Sequence, residues 1–319
     1  MRTICAFISF LLFSITAFAD EVVRGQDHFQ FTYHATCPEI TGHADMWLPI
    51  ATSDAFQTVT IQKSSLPNNW RKIEDGAYHN QIALVRLDST QSGKPIEVVY
   101  DVVRREKATY PAGDDAAHFL HAERLVPVGE TFATIAREAT NGKKTDLERG
   151  RALYQHVLAR MKYDKTGTGW GRGDANYACD ARKGNCTDFH SYFIALARSI
   201  GIPARFAIGF TIPPEKDDGE ISGYHCWAEF FADGKWIPID ISEAWKAPAL
   251  ADYYFGHHPA NRFEVSRGRD LLTDPAPASG PVNFLVYPLL EVDGKPVKME
   301  TAFTFHRIKT GQTNGSQSY

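Results

Sequence analysis

Alternation of apolar and polar residues dominates the first third of the chain. Phe29, Phe31 and Tyr33 alternate with polar neighbours, as do Ala44, Met46, Leu48 and Ile50; Ile82, Leu84 and Leu87 follow with a slip, and Ile96 to Val103 completes the series. A period of two puts every second side chain on one face, so each run predicts a half-buried strand. Thr41-Gly42, Pro67-Asn68-Asn69, Asp75-Gly76 and Ser92-Gly93-Lys94-Pro95 punctuate the runs with residues that suit tight turns. Residues 20–110 therefore read as an antiparallel β-domain. No catalytic residue types cluster in it, and its expected role is structural or substrate-orienting.

The period changes after Tyr110-Pro111-Ala112-Gly113-Asp114-Asp115, which marks the start of a second domain over residues 111–319. Thr145-Asp146-Leu147-Glu148 is a capping box, and Leu147, Tyr154, Val157, Leu158 and Met161 carry the buried face of the helix it opens. The glycine-rich stretch from Lys165 to Asp174 lacks the Gly-Lys-Ser/Thr ending of a phosphate loop and the spacing of a calcium loop, and reads as a wall of a cleft. A second helix follows. Phe189, Tyr192, Phe193, Leu196 and Ile200 recur at helical spacing, Asn185 is a favoured N-cap, Asp188 lies in the first turn, and Gly201 with Pro203 ends the run.

Strand signals then return. Arg205 to Ile212 is one candidate, Pro213 to Glu220 is a charged surface excursion, and the strands Gly223 to Ala232 and Lys235 to Ile241 are joined by Asp233-Gly234, a strong hairpin signal. Arg262 to Val265, Phe284 to Val292 and Val297 to Ile308 form a β extension over 245–319, with a second hairpin at Asp293-Gly294 and a polar, frayed tail from Thr310 to Tyr319.

Composition narrows the class. A 319-residue chain that is 43% hydrophobic and 23% charged has material for a packed core and about two domains. Met1-Arg2, the apolar segment Ile4 to Phe18 and Ala17-Phe18-Ala19 have the shape of a secretory signal over residues 1–19, cleaved after Ala19, which predicts a periplasmic or secreted protein. No later segment could span a membrane. Loss of Arg2 with the signal makes the formal net charge of −4 one unit more negative, and without a basic stripe nucleic acid is not an expected partner.

Cys37, Cys179, Cys186 and Cys226 remain after cleavage, and in an oxidising compartment they could form two disulfides. They fit no zinc spacing, because no Cys-x-x-Cys is present. Neither His118 with His121 nor His257 with His258 has a third ligand spaced to join it, so both pairs read as surface histidines, and no metal or organic cofactor is expected. Arg267, Arg269 and Asp270 read as a structural ion-pair cluster.

One cysteine stands apart. Cys186 sits in the first turn of the second helix, where unpaired N–H groups and the positive end of the helix dipole favour a thiolate over a thiol of pKa about 8.5. The Asp233-Gly234 hairpin supplies a base. A two-residue loop sets Ala232 opposite Lys235 and Trp227 opposite Asp240, which makes His225 and Asp240 diagonal neighbours on one face, roughly 7 to 8 Å apart at Cα. The same parity sends Cys226 to the opposite face and assigns it a structural role. His190, one turn after Cys186, reads as packing. A cysteine at a helix start, a histidine and a carboxylate are the parts of a thiol acyl-transfer site.

Gly184-Asn185-Cys186-Thr187-Asp188-Phe189 with Gly201-Ile202-Pro203-Ala204-Arg205, then His225-Cys226-Trp227-Ala228-Glu229, then Trp236-Ile237-Pro238-Ile239-Asp240, resembles the transglutaminase-like superfamily of cysteine enzymes. The motifs span about residues 179–243; Met46-Trp47-Leu48-Pro49-Ile50 and Ser266-Arg267-Gly268-Arg269-Asp270 are similar to flanking regions of exported bacterial members. The resemblance implies a papain-like α+β core, the cysteine helix packed on an antiparallel sheet. It implies Cys186 as nucleophile, His225 as general acid/base and Asp240 as the group that orients and charges the imidazole, with Trp170 or Tyr177 as a second oxyanion donor beside the Cys186 N–H. The expected activity is acyl transfer on amide or peptide bonds of a peptide or protein substrate, by hydrolysis. True transamidation and a non-catalytic periplasmic binding or assembly module are the alternatives.

Overall fold

Alternation becomes strands because the buried positions of each run share a face. In the computed structural model, which describes residues 22–113 and 115–309, Gln26–Thr36 buries Phe29, Phe31, Tyr33 and Ala35. It pairs antiparallel with Pro95–Arg105 on one side and Glu300–Arg307 on the other. Gln57–Ser64 and Asp218–Glu220 complete this five-stranded sheet. A second sheet runs Lys295–Val297, Leu289–Val292, Ala44–Ile50, Gln81–Leu87 and Arg71–Glu74. The signal segment and the polar tail lie outside the described residues.

The C-terminal extension thus returns to the N-terminal sheets, and the fragment Asp218–Glu220, expected as a surface excursion, adds an edge strand by pairing with Glu300–Arg307. Local periodicity identifies a strand but carries no information about a partner some 270 residues away. Both Asp-Gly loops are hairpins, with φ of 52° and 76° at Asp233 and Gly234 and 51° and 74° at Asp293 and Gly294, the positive pair that matches the twist of two strands.

The third sheet, antiparallel throughout, orders Arg262–Arg267, Ala204–Thr211, His225–Ala232, Lys235–Ile239 and Tyr110–Pro111. Helices α1 (Glu130–Ala139), α2 (Asp146–Arg160), α3 (Ala175–Ala181), α4 (Cys186–Ser199) and α5 (Ile241–Lys246) accompany it. The fold is α+β. Among the described residues no helix is long and apolar enough to cross a membrane. The predicted capping box opens α2, with Thr145 and Glu148 each serving the other's backbone N–H.

Helix α4 is the centre of the second half. Its apolar stripe predicts one buried face, yet every residue from Cys186 to Arg198 is buried, because α1, α2, α3, α5 and the third sheet surround it. Buried polar side chains must then find partners. Arg198 illustrates this, donating to the carbonyls of Ala204 and His121 and to Glu123 Oε1 at 2.9, 2.8 and 3.2 Å.

The sheets join through aromatic packing, with the Phe31 ring 4.9 Å from Phe210 and 4.7 Å from Phe263. At this seam Gly209 lies where the pairing with Arg262–Arg267 shifts register. A Cβ on Gly209 would stand 1.8 Å from the Phe263 carbonyl oxygen, a backbone atom that cannot swing aside. Gly209→Ala should therefore cost about 2 kcal/mol or more, read as a lower urea midpoint with an unchanged m-value. An unaltered midpoint would contradict the close approach of these strands.

Candidate active site

The entry to α4 is held by one carboxylate. Asp188 accepts from the backbone N–H groups of Gly171, Gly173 and Asn185 at 2.7, 3.0 and 2.9 Å, while the Asn185 side chain caps Thr187 N at 3.0 Å. The glycine-rich loop is thereby tied to the helix start. Burial pushes Asp188 up to about 6 even though these three bonds pull it down. Gly173 has φ of +63°, and a Cβ there would meet the Arg269 guanidinium at 2.4 Å. Arg269 holds the loop through the carbonyls of Gly173 and Arg172 at 2.7 and 2.8 Å and also bonds Ser191.

Cys186 is the first residue of α4, buried and not in a disulfide. Its N–H has no helical carbonyl behind it, so an acceptor arriving at the sulfur meets a free donor. Ala232 pairs with Lys235 and Ala228 with Ile239, the register read from the hairpin. Just past that last pair, His225 Nε2 lies 2.6 Å from Asp240 Oδ2, which leaves Nδ1 as the other ring nitrogen, and His225 is among the groups that lower the Cys186 thiol. The structure therefore brings Cys186, His225 and Asp240 together.

Asp240 ends its strand by capping α5, accepting from Glu243 N and Ser242 Oγ at 3.0 Å each. Its other oxygen takes a bond from buried Arg262 Nη2 at 2.8 Å. Burial opposes charge on Asp240, but His225 and Arg262 outweigh it and hold the carboxyl well below its usual range. For His225, burial favours the neutral ring, yet the Asp240 charge and hydrogen bond raise it to about 9. Burial likewise opposes the Cys186 thiolate, and hydrogen bonds from Cys226 and His225 with the imidazolium charge bring it well below the ordinary thiol value. Both shifts run in the direction of a buried thiolate–imidazolium pair.

Several expectations need correction. Cys226 is not remote: its sulfur is 3.7 Å from Nδ1 of His190, the ring that donates to the Cys186 carbonyl. Parity does separate His225 from Cys226, paired with Gly209 and Ile208, but on its own face Cys226 meets His190 of α4. His258 is fully buried, not on the surface; burial drives its ring to about 3. Arg267, Arg269 and Asp270 do not form one cluster. Arg267 pairs with Asp54 and Glu264, Asp270 with Arg124, and Arg269 binds the loop carbonyls.

The Trp170 indole N–H is used on Gly167 O at 3.2 Å within its own loop. The Tyr177 hydroxyl is buried without a partner, its ring against Gly169. No hydrogen bond joins either residue to Cys186. Groups the sequence did not single out also face the sulfur: Tyr163 and Tyr224, each raised chiefly by burial and next by the Cys186 charge. Glu243 lies 3.7 Å from His225 Nε2. His190 is a neutral strut, since its Nε2 accepts from Ile241 N at 3.1 Å and its Nδ1–H donates to Cys186 O at 2.8 Å.

Residues 133–241 match the sequence profile of the Transglutaminase-like superfamily. That segment is similar to a transglutaminase-like core. An uncharacterized protein of Haemophilus influenzae is 24% identical over 318 residues, covering 84% of this chain and 86% of the relative. A crystal structure of a candidate cysteine protease from Cytophaga hutchinsonii superposes with a TM-score of 0.61 at 16% identity, over 90% of this chain and 93% of that one, a likeness of fold. The periplasmic domain of TgpA from Pseudomonas aeruginosa matches with a TM-score of 0.38 at 15% identity, over 73% of this chain and 94% of that one.

A thiolate–imidazolium pair would carry a pH signature. Iodoacetamide should modify Cys186 before the other thiols, with an acid midpoint well below 8.5, a plateau, and a second rise near pH 9 as His225 loses its proton and frees the thiolate. His225→Ala should collapse this to one midpoint shifted upward. A single midpoint at or above about 8.5 in the unaltered protein would exclude the resting pair.

Proposed function

We propose that this chain is an exported thiol hydrolase, a peptidase or amidase that works through a Cys186 thioester. The observation that carries this reading is a free Cys186 at the start of a buried helix, its thiol lowered by His225, whose Nε2 is held 2.6 Å from buried Asp240. In the proposed cycle the thiolate attacks an amide carbonyl and the developing oxyanion meets the Cys186 N–H. His225 gives its proton to the leaving amine, then takes one from water as that water attacks the thioester. Asp240 and Arg262 keep the ring oriented through both transfers.

For a second oxyanion donor, the Tyr177 hydroxyl is free of other bonds, whereas the Trp170 N–H must first leave Gly167 O. Export rests on the signal-like segment Met1 to Ala19, and places the reaction in the periplasm or outside the cell, on peptide or protein substrates.

The test offers peptide amides to the mature chain with and without a fluorescent primary amine. Release of the free acid, lost by at least about 10³-fold in Cys186→Ala, supports hydrolysis. Predominant incorporation of the amine would overturn it in favour of transamidation. Binding of envelope peptides with no turnover and no Cys186 adduct would make the protein a non-catalytic module.

A further inference from the structure

A second carboxylate stands at the triad histidine, and the triad does not explain it. Asp240 turns the chain into α5 by accepting from Glu243 N at 3.0 Å, which fixes Glu243 in the first turn of that helix. There its Oε1 lies 3.7 Å from His225 Nε2, the nitrogen held 2.6 Å from Asp240 Oδ2. The same Oε1 accepts from Lys246 Nζ at 2.7 Å, and Lys246 sits over the Tyr163 ring, 4.3 Å from its centroid. Asp240 is fully buried, Glu243 half-buried and Lys246 exposed. One oxygen therefore links a buried imidazole to a surface ammonium.

At 3.7 Å Glu243 makes no hydrogen bond to the ring, and the Nε2 proton goes to Asp240. What acts across the gap is charge. Burial opposes ionisation of Glu243, but the His225 imidazolium, then Arg262 and Lys246, hold its carboxyl below the usual range. Such coupling is reciprocal: a cation that keeps a carboxylate ionised is itself kept protonated by it. The charged or titratable groups facing His225 are Cys186 and His190 from α4, Arg262 from the edge strand, and Asp240 and Glu243 at the start of α5, with Lys246 and Tyr163 behind Glu243. Glu243 and Lys246 are the pair among them that meets the ring at one end and solvent at the other.

We propose that Glu243 is a positioning residue that acts through His225: its carboxylate, set by the Asp240 cap and tethered by Lys246, holds the proton on the ring while Asp240 holds the ring's direction. This rests on the acid/base role given to His225 above. Glu243 stays ionised and takes no proton itself. In the proposed cycle the ring first loses the thiolate charge beside it, as the sulfur bonds to carbon, and then gives its proton to the leaving amine. A carboxylate that remains near Nε2 keeps the proton on the ring between these events. Once the thioester has formed, the same charge makes the neutral ring a stronger base toward water. Lys246 tempers both effects, because its ammonium offsets part of the Glu243 charge.

The experiment follows the imidazole nitrogen resonances of the mature, histidine-labelled chain across pH, with His225 assigned by the signals lost in His225→Ala. The ring should titrate at about pH 9. Glu243→Gln keeps the shape and removes the charge, and should lower that midpoint by about one pH unit, the scale of a unit charge a few ångströms away in a partly hydrated setting. Lys246→Met should raise it. In Glu243→Gln the acid midpoint of Cys186 alkylation should not rise, since the imidazolium stays beside the sulfur. An unchanged His225 midpoint in Glu243→Gln would overturn the proposal. So would downward shifts in both variants or a raised Cys186 midpoint, each the mark of a helix that has lost its packing. If Glu243→Gln does not fold, Lys246→Met decides: a rise upholds the proposal and no rise overturns it. The readout needs no substrate, so a shifted His225 midpoint in a chain that cleaves nothing would uphold Glu243 and sink the hydrolase, while normal cleavage with an unshifted midpoint would do the reverse.

Discussion

A charged sulfur shielded from water is the constraint that the proposed site places on this structure. Removing an ion from solvent costs several kcal/mol, recovered only with well-placed partners. Here the partners alternate in sign: the Cys186 thiolate, the His225 imidazolium, the Asp240 carboxylate and the Arg262 guanidinium follow one another, the last two links at 2.6 and 2.8 Å. Each member is buried, so each depends on its neighbours for its charge. Removing one would strand the next, a loss of about 3–5 kcal/mol for a buried pair. That dependence makes the constellation a preorganised unit rather than four separate residues.

The scaffold answers to the same constraint. Helix α4 is enclosed on all sides, and Asn185 accepts the first-turn N–H groups of Thr187, Asp188 and Phe189. Asp188 would be a poor neighbour for a thiolate, and its charge does raise the cost of ionising both groups. It is tolerated because three backbone N–H groups turn its oxygens away into the glycine-rich loop. The loop, in turn, can take that shape only where glycine supplies positive φ, as at Gly173, and where Arg269 gathers its carbonyls. What reads in sequence as a cleft wall is tied to the helix start through Asp188.

Much of this was legible in the chain itself, for reasons that are local. Helix spacing and the Asn185 cap placed Cys186, and two-residue Asp-Gly loops fixed the strand register that brings His225 to Asp240. The remainder depends on distance. Arg262 cannot be assigned to Asp240 from spacing, since the two meet only after the sheet is assembled. Parity assigns Cys226 a sheet face but not what packs on it, and His190 of α4 lies against that face, 3.7 Å from the sulfur. His258 offered no local sign of burial, as a dipeptide of histidines looks the same on a surface or beneath one.

The N-terminal sheets reach the chemistry through Arg262. Its strand, Arg262–Arg267, is the edge of the catalytic sheet, and an edge strand would be free to shift. It is instead pinned to the first sheet: Gln57 donates to Glu264 O at 2.9 Å and accepts from Glu264 N at 3.1 Å. Buried Lys107 adds Glu229 and Glu264 at 3.1 and 3.4 Å, joining this strand to the one that carries His225. A displacement of the strand by even one residue would reverse the face on which Arg262 stands and leave Asp240 with a single cation. The β-domain, expected to have only a structural or substrate-orienting part, thereby fixes the far end of the charge chain, and the register of a strand outside the three catalytic motifs sustains the charge on the sulfur.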